Sequence, residues 1–153
     1  MIKTLAKKKM KLTIELVPKT AWYSNVRSNV STAEWDVLRK ACYKKAGYKC
    51  ECCGGKGPKH PVECHEIWEY DDEALKQTLL GLIALCPDCH MCKHIGLAQI
   101  KGNYARAITH LAKVNGITLD EADKYVRESF DLWEKRSKNN WELDITILEE
   151  TKE

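Results

Sequence analysis

Four cysteines in this chain are spaced so that their sulfurs can hold one metal ion. Cys50 and Cys53 form one C-x-x-C pair, and Cys86 and Cys89 form a second pair further along the chain. Two thiolates in such a turn reach the same ion, and two turns complete a tetrahedral sulfur site. Thiolate ligands favour zinc, with iron as the main alternative. The spacing therefore predicts a structural Zn²⁺ site, which would add about 10 kcal/mol of metal-linked folding free energy.

The other four cysteines require a different interpretation. Cys52, Cys64 and Cys92 lie in the same part of the chain, and Cys42 precedes it. Cys89 and Cys92 also form a C-x-x-C, but Cys92 is expected within a helix, where a small apolar side chain explains it. Cys42 is expected in the core. Disulfides are rare in a reducing compartment, so this clustering favours metal over disulfides.

Three histidines lie close to the cysteine pairs. His65 falls between the two pairs, and His90 and His94 follow the second pair directly. A spacing of four residues places His90 and His94 on one face of a helix, and His65 is expected on a strand near that face. A lone histidine is more often structural, but three histidines beside one zinc site favour a functional group.

These cysteines and histidines lie in a run of sequence that resembles the HNH endonucleases. The resemblance covers about residues 48–96. It rests on three segments: Cys50-Glu-Cys-Cys-Gly-Gly, Val62-Glu-Cys-His-Glu-Ile and Gly81-Leu-Ile-Ala-Leu-Cys-Pro-Asp-Cys-His-Met-Cys-Lys-His. It implies a ββα-metal fold, in which two strands and a helix hold one catalytic divalent cation. It also implies hydrolysis of DNA phosphodiester bonds.

The resemblance assigns a role to each histidine. His65 matches the general base that takes a proton from the attacking water, and an imidazole suits this role because its ordinary pKa lies near neutral pH. His90 matches the last histidine of the motif, which is a ligand of the catalytic metal, and His94 matches a second ligand found in some members. The second divalent cation would stabilise charge on the phosphate and the leaving oxygen. Mg²⁺ prefers oxygen ligands, so two histidines favour Mn²⁺, Ni²⁺, Co²⁺ or Zn²⁺.

Two positions depart from the pattern of the family. The residue before the base is usually Asp or His and helps to hold the metal, whereas here it is Cys64, which either ligates as a thiolate or points into the core. The middle Asn of the motif, which orients the base or binds metal, falls on Gly81. Glu66, Glu69 and Asp71 are candidates to replace it, by orienting the base or by binding metal. Glu66, which follows the base directly, is therefore a candidate catalytic residue.

The elements that must position this motif are two strands and a helix. Hydrophobic patterning predicts strands over residues 61–70 and 79–86, joined by a turn at 71–73. A helix is expected over residues 87–99, because proline suits the first turn of a helix.

Further helices are expected on both sides of the motif. Capping boxes at Ser31 and Thr118 begin helices over residues 32–48 and 119–137. Another helix is expected over residues 103–114, closed by an Asn-Gly pair.

Two short strands are expected near the ends of the chain, over residues 12–16 and 141–147, where apolar and polar side chains alternate. These two strands could pair with each other.

The whole pattern predicts an α+β fold with a zinc-stabilised ββα-metal (HNH-like) core, flanking helices and short terminal strands. The predicted organisation is a flexible basic arm over 1–11, a single HNH-like domain over 12–148 with its motif core at about 48–96 and a helical part at 103–138, and a tail over 149–153.

Charge is unevenly distributed along the chain. Residues 1–60 carry 14 Lys and Arg against 4 Asp and Glu, a net charge of +10, whereas the remaining residues carry 11 against 18, a net charge of −7. A basic half favours a surface that binds a polyanion such as DNA, and a solvated lysine-rich surface is the alternative. The candidate DNA contacts are the loop 22–29 and the helix 32–48, through Arg27, Arg39, Lys40, Lys44 and Lys45.

Composition argues against a membrane-spanning or secreted protein. The chain has 44% hydrophobic and 31% charged residues, lacks an apolar run long enough for a membrane helix, and has a basic N-terminus without the apolar stretch of a signal peptide. These features predict a cytoplasmic protein.

Three functions stay open: a metal-dependent DNA endonuclease, a non-catalytic zinc module that binds nucleic acid, and a zinc-held protein-interaction domain. The last of these leaves the basic half of the chain unexplained.

Overall fold

The computed structural model describes residues 10–22 and 25–150, with the backbone alone at residue 150. The described residues form seven α-helices, one short 3₁₀ turn and a three-stranded sheet, so the chain is a mixed α+β protein. The helices are α1 (Val26–Asn29), α2 (Thr32–Lys45), α3 (Pro87–Lys93), α4 (Ile95–Ile100), α5 (Tyr104–Asn115), α6 (Leu119–Arg136) and α7 (Ile147–Glu150). The strands are β1 (Glu63–Asp71), β2 (Lys76–Leu85) and β3 (Glu142–Asp144). Most of the predicted basic arm, residues 1–9, and the last three residues of the predicted tail lie outside the described residues.

The two strands predicted for the motif are confirmed and form an antiparallel pair. His65 on β1 lies opposite Ile83 on β2, and the register shifts at a bulge after Ile67, where Leu80 is the extra residue. Successive side chains of a strand point to opposite faces. Glu63 and His65 therefore share one face of β1, and Cys64 points to the other.

The helix predicted over residues 87–99 is present but divided in two. Cys86 is the N-cap of α3, its sulfur accepting a hydrogen bond from the backbone N–H of Cys89, and Pro87 occupies the first turn. His94 interrupts the helix with backbone angles of φ −109° and ψ 50°, and α4 begins at the next residue. The prediction of one continuous helix is therefore wrong at this position.

The capping boxes are confirmed at the starts of α2 and α6. Ser31 and Glu34 exchange side-chain and backbone hydrogen bonds, as Thr118 and Glu121 do at α6. The helix α2 ends at Lys45, three residues before the predicted end, because Gly47 and Tyr48 adopt left-handed φ angles of 64° and 59°. Glycine favours this conformation and commonly ends a helix in this way.

The predicted pairing of the two terminal strands is wrong. Residues 12–16 form no strand, because their backbone N–H groups bond to helices: Asn115 accepts from Leu12, the Tyr125 hydroxyl from Ile14, and the carbonyl of Lys93 from Glu15. Apolar and polar side chains alternate in this segment because Leu12 and Ile14 are buried, not because the segment belongs to a sheet. The strand β3 instead pairs in parallel with the start of β2, at Lys76 to Glu142.

The apolar core forms two clusters of buried side chains. The larger includes Leu12, Leu85, Ile95 and Leu111 together with the buried cysteines, and it joins the sheet to α3, α4, α5 and α6. The smaller contains Val26, Trp35, Leu79 and Leu148.

Across the described part of the chain, every helix falls short of the length and apolar character that crossing a bilayer requires.

Candidate metal centres and candidate active site

The four cysteines of the two C-x-x-C pairs come together in space. The sulfur atoms of Cys50, Cys53, Cys86 and Cys89 all lie within 4.8 Å of one another. Those of Cys53 and Cys86 are 3.6 Å apart. Cys50, Cys86 and Cys89 are buried. This set of four sulfurs is compatible with a structural zinc ion.

The first cysteine pair is held in place by a tight turn that is tied to β2. The N–H of Gly54 bonds to the carbonyl of Cys50 at 2.9 Å, and Gly54 has the left-handed φ of 78° that this turn requires. The N–H of Glu51 bonds to the carbonyl of Ala84 at 2.9 Å, and the Glu51 carboxylate accepts from the N–H of Ala84 at 2.8 Å. Because Ala84 lies two residues before Cys86, these bonds bring the two pairs together.

Three thiols of this group have pKa values that differ from one another, because the sulfurs lie close together and are partly buried. A hydrogen bond from Cys89 lowers the pKa of the Cys50 thiol to about 4, and the same bond raises the pKa of Cys89. Burial raises the pKa of Cys86 to about 11. Four thiolates at these distances would repel one another, and a bound metal ion would supply the charge that allows all of them to lose their protons.

His110 is a further residue at this centre, and sequence reasoning missed it. Its Nε2 lies 3.1 Å from the sulfur of Cys89. It stands on α5, 21 positions away from Cys89. A single histidine outside the motif gives no local signal of such a contact.

The remaining four cysteines lie outside both groups of candidate ligands, but Cys52 forms a hydrogen bond with Cys89 of the four-sulfur group. Cys64 forms a hydrogen bond with Cys42, which raises the pKa of Cys64 and lowers that of Cys42. Cys92 is buried and bonds to the carbonyl of Ala107, in agreement with the core position expected for it. Of the two alternatives for Cys64, the structure places it towards α2 and the core.

The three histidines of the motif form a second cluster. One ring nitrogen from each of His65, His90 and His94 lies within 4.8 Å of the other two. The Nε2 atoms of His90 and His94 are 3.1 Å apart, and the three ring centroids are 4.8 to 5.3 Å apart. His65 is supplied by β1, His90 by α3, and His94 by the break between α3 and α4. The histidines could therefore bind a metal ion.

Two carboxylates hold the outer nitrogens of this cluster. Glu63 accepts from His90 Nδ1 at 3.0 Å, and its second oxygen lies 3.0 Å from Nε2 of His60. Glu15 lies 2.6 Å from Nε2 of His65. Glu63 could have been found from the sequence, because a period of two places it on the same face of β1 as His65. Glu15 gave no such signal, because it lies 50 positions from His65.

A buried lysine completes the surroundings of Glu15. Lys93 is 7% exposed, and its Nζ lies 2.7 Å from Thr13 Oγ1 and 3.3 Å from Glu15 Oε1. Burial raises the pKa of Glu15, but the hydrogen bond with His65 and the charge of Lys93 together lower it more, and the net pKa lies below the ordinary value. Glu15 is therefore held as a carboxylate.

The surroundings of His90 and His94 suit the binding of a cation. Burial lowers the pKa of both residues, and neighbouring histidine charge adds to this at His94, whose pKa falls to about 4. Both are therefore neutral near pH 7, as metal ligation requires. Two imidazole nitrogens 3.1 Å apart can be bridged by one ion with bonds of about 2.0–2.1 Å. The Glu63 carboxylate on the outer nitrogen of His90 resembles the usual support of a ligating histidine.

The histidines line one part of an open cleft with a volume of about 820 Å³. Aromatic and apolar side chains line most of the remainder: Trp22, Trp35, Trp68, Leu97, Phe130 and Trp133. Two cations lie over rings in this cleft, Lys19 at 4.9 Å from the ring centre of Trp133 and Arg27 at 5.6 Å from that of Trp35. The cleft thus combines a polar group of imidazoles with aromatic surfaces and with charged side chains of both signs, since Glu15 and Glu66 also line it.

The predicted DNA contacts divide between two parts of the molecule. Arg27 lines the cleft, within a stretch predicted as a loop that instead contains α1, and of which residues 23 and 24 lie outside the described residues. Lys40, Lys44 and Lys45 are exposed on α2 and are not among the described residues that line the cleft. Arg39 forms an ion pair with Asp36 at 2.9 Å.

The acidic residues expected to replace the missing Asn of the motif have other partners. Glu66 lines the cleft, accepts a hydrogen bond from the N–H of Val26 at 3.1 Å, and has its pKa raised by burial. Asp71 accepts from the N–H groups of Glu73 and Ala74 in the hairpin turn. Glu69 is exposed. The carboxylate that bonds to His65 is that of Glu15.

No known protein family, curated protein or solved structure matches this chain. Its function therefore has to be inferred from the two clusters and the cleft beside them.

Proposed function

We propose that this protein is a metal-dependent DNA endonuclease of the HNH type. The observation that carries the proposal is the convergence of His65, His90 and His94, with one ring nitrogen of each within 4.8 Å of the others, in an open cleft. In this proposal the sulfurs of Cys50, Cys53, Cys86 and Cys89 (the sulfur cluster) form the structural zinc site. The rings of His65, His90 and His94 (the histidine cluster) form the reactive site.

The order of the elements around the clusters supports a ββα-metal core. The strands β1 and β2 and the helix α3 follow one another directly in the chain. In this arrangement β1 carries the proposed base, His65, and α3 carries a proposed ligand, His90. Both cysteines of the second pair lie at the start of α3, so the zinc ion would fix the helix that presents His90.

The proposed reaction is hydrolysis of a phosphodiester bond. His65 removes a proton from a water molecule as the water oxygen bonds to phosphorus, and the leaving oxygen departs with the electron pair of the broken P–O bond. A divalent cation bound by His90 and His94 supplies charge stabilisation for the phosphate and the leaving oxygen. Nitrogen ligands favour Mn²⁺, Ni²⁺, Co²⁺ or Zn²⁺ for this cation over Mg²⁺.

Charge and aromatic surface in the cleft support a nucleic acid as the substrate. Lys19 and Arg27 bring two cations to a cleft that also contains several aromatic rings and the carboxyl groups of Glu15 and Glu66. Lys and Arg bind phosphates, and aromatic rings offer surfaces for sugars and bases. The excess positive charge of residues 1–60 acts in the same direction over a longer range.

A cleavage assay on supercoiled plasmid tests this proposal. We expect the wild-type protein to cut with Mn²⁺ or Ni²⁺, and the His65→Ala variant to be slower by about 10²–10⁴-fold, the range for loss of a general base. Thermal unfolding and zinc content should stay those of the wild type. Equal cutting by both proteins would contradict the role of His65. Loss of the second cation from His65→Ala would identify His65 as a third ligand instead of the base.

Gly81 favours a second candidate, a non-catalytic zinc module that binds nucleic acid. The family motif has an Asn at this position, and glycine has no side chain with which to orient a base or bind metal. This candidate predicts DNA binding that weakens steeply as salt increases, with plasmid left uncut under every divalent cation tested.

A further inference from the structure

We infer that Glu15 is the positioning residue of His65 and takes the place of the Asn that the motif lacks at Gly81. This inference rests on the proposed function. A histidine acts as a base only when the nitrogen facing the water carries a lone pair, so some group must fix which nitrogen holds the proton. Glu15 stands where such a group is needed, since its carboxylate lies 2.6 Å from Nε2 of His65.

The Glu15 carboxylate is itself held by several contacts. Its Oε1 lies 3.3 Å from the ammonium of Lys93, which in turn bonds to Thr13. The backbone N–H of Glu15 bonds to the carbonyl of Lys93 at 3.3 Å. His65 is only 5% exposed, so water competes little for its hydrogen bond. A carboxylate fixed in this way restricts both the orientation of the imidazole and its proton.

The chemical consequence concerns the two nitrogens of His65. A carboxylate can only accept a hydrogen bond, so Nε2 of His65 carries the proton that Glu15 receives. The lone pair is then left on Nδ1, which takes the proton from water as the O–H bond breaks. The negative charge of Glu15 stabilises the imidazolium that results, as a carboxylate does for the histidine of a catalytic triad.

A second carboxylate in the same cluster provides a matched comparison. Glu63 bonds to Nδ1 of His90 at 3.0 Å, which leaves Nε2 of His90 to face Nε2 of His94. Glu63 thus supports a proposed metal ligand, whereas Glu15 supports the proposed base. Removing each charge should therefore produce a different defect, and this difference separates positioning of the base from a merely structural role.

The experiment compares Glu15→Gln with Glu63→Gln in full-length protein carrying its structural zinc. Plasmid cleavage gives kcat and KM, and calorimetric titration with Mn²⁺ gives the affinity for the second cation. We expect Glu15→Gln to lower kcat by about 10²-fold or more with Mn²⁺ affinity within a few-fold of wild type, and Glu63→Gln to weaken Mn²⁺ binding by about 10–100-fold. If Glu15→Gln cuts as fast as wild type, or loses Mn²⁺ as Glu63→Gln does, the inference is overturned while the proposed nuclease stands.

A spectroscopic measurement on the wild-type protein covers the case in which Glu15→Gln does not fold. Long-range ¹H–¹⁵N spectra distinguish the two neutral forms of a histidine ring, and we expect His65 to carry its proton on Nε2. A proton on Nδ1 would overturn the inference. If wild-type protein cuts no DNA with any cation, the proposed nuclease fails, and the role of Glu15 in catalysis fails with it.

Discussion

The sulfur cluster and the histidine cluster differ in what surrounds their candidate ligands. Each brings its donor atoms within 4.8 Å of one another. The sulfurs bond mainly to each other and to nearby backbone N–H groups, such as those of Cys53 and Cys89. The histidine nitrogens bond to the carboxylates of Glu15 and Glu63 and to each other, and the rings line an open cleft.

Under the proposed function, this difference separates a structural centre from a reactive one. Four protein ligands complete the coordination of zinc and leave no position for a substrate, whereas a catalytic site keeps a position open. The sulfur cluster offers four ligands and is mostly buried. The histidine cluster offers three nitrogens, of which the proposed function uses two as ligands. The comparison therefore predicts that losing the first centre affects folding and that losing the second affects chemistry.

Substitution of Cys89 should have the largest effect. Cys89→Ser replaces a buried candidate zinc ligand, so a large part of the approximately 10 kcal/mol of metal-linked folding free energy should be lost. Circular dichroism should show a variant that is unfolded or melts far below the wild type, and a strong chelator should do the same to the wild type. Cys42→Ser is the control, because it changes a buried thiol outside the cluster. A Cys89→Ser variant that melts at the same temperature as the wild type would contradict the prediction that losing the sulfur cluster affects folding.

Substitution of Glu63 should have an intermediate effect that is confined to the histidine centre. Glu63→Gln removes the negative charge at Nδ1 of His90, and loss of such a partner typically weakens metal binding by about 10–100-fold. Titration with Mn²⁺ measures this loss, and the melting temperature of the zinc-loaded protein should change little. Glu69→Gln on the same strand is the control, since Glu69 is exposed. Similar Mn²⁺ affinity in both variants would contradict a supporting role for Glu63.

Substitution of His110 should have the smallest effect of the three. His110→Ala removes the partner of the Cys89 sulfur, and we expect zinc to bind about ten-fold more weakly, at the lower end of the range for such partners. The effect is small because all four sulfurs remain in place. Competition with a chromophoric zinc chelator measures the change. The exposed Lys113→Ala on the same helix is the control, and equal zinc affinity in the two variants would show that the histidine contact does not support the site.

Local sequence patterns predicted the parts of the molecule that depend on neighbouring residues. The cysteine pairs and the capping boxes at Ser31 and Thr118 act over a few positions, and the structure contains them. His90 and His94 also come together as their spacing predicts, although His94 lies at the break after α3 and not within one continuous helix. The resemblance placed the motif on two strands and a helix, and these elements are present. The ββα-metal fold and the catalytic roles remain predictions.

Features that depend on distant residues could not be predicted in this way. The contacts of Glu15 with His65 and of His110 with Cys89 join elements far apart in the chain, and no local pattern encodes them. The alternation of residues 12–16 predicts a strand, but a segment that packs against helices without pairing also buries every second side chain. Only the helix groups of Asn115, Tyr125 and Lys93 that accept its backbone hydrogen bonds distinguish the two cases.

The anchoring of the N-terminal segment has a consequence for the order in which the protein folds during synthesis. Leu12 and Ile14 are held by residues 103 and 111 positions further along the chain. Such long loops close late because of their entropic cost, and the ribosome must first release Asn115 and Tyr125. The zinc ligands all emerge earlier than these two anchors. We therefore expect an unfinished chain to bind zinc before Glu15 can reach His65, and the proposed DNA cutting to begin only once most of the chain has been made.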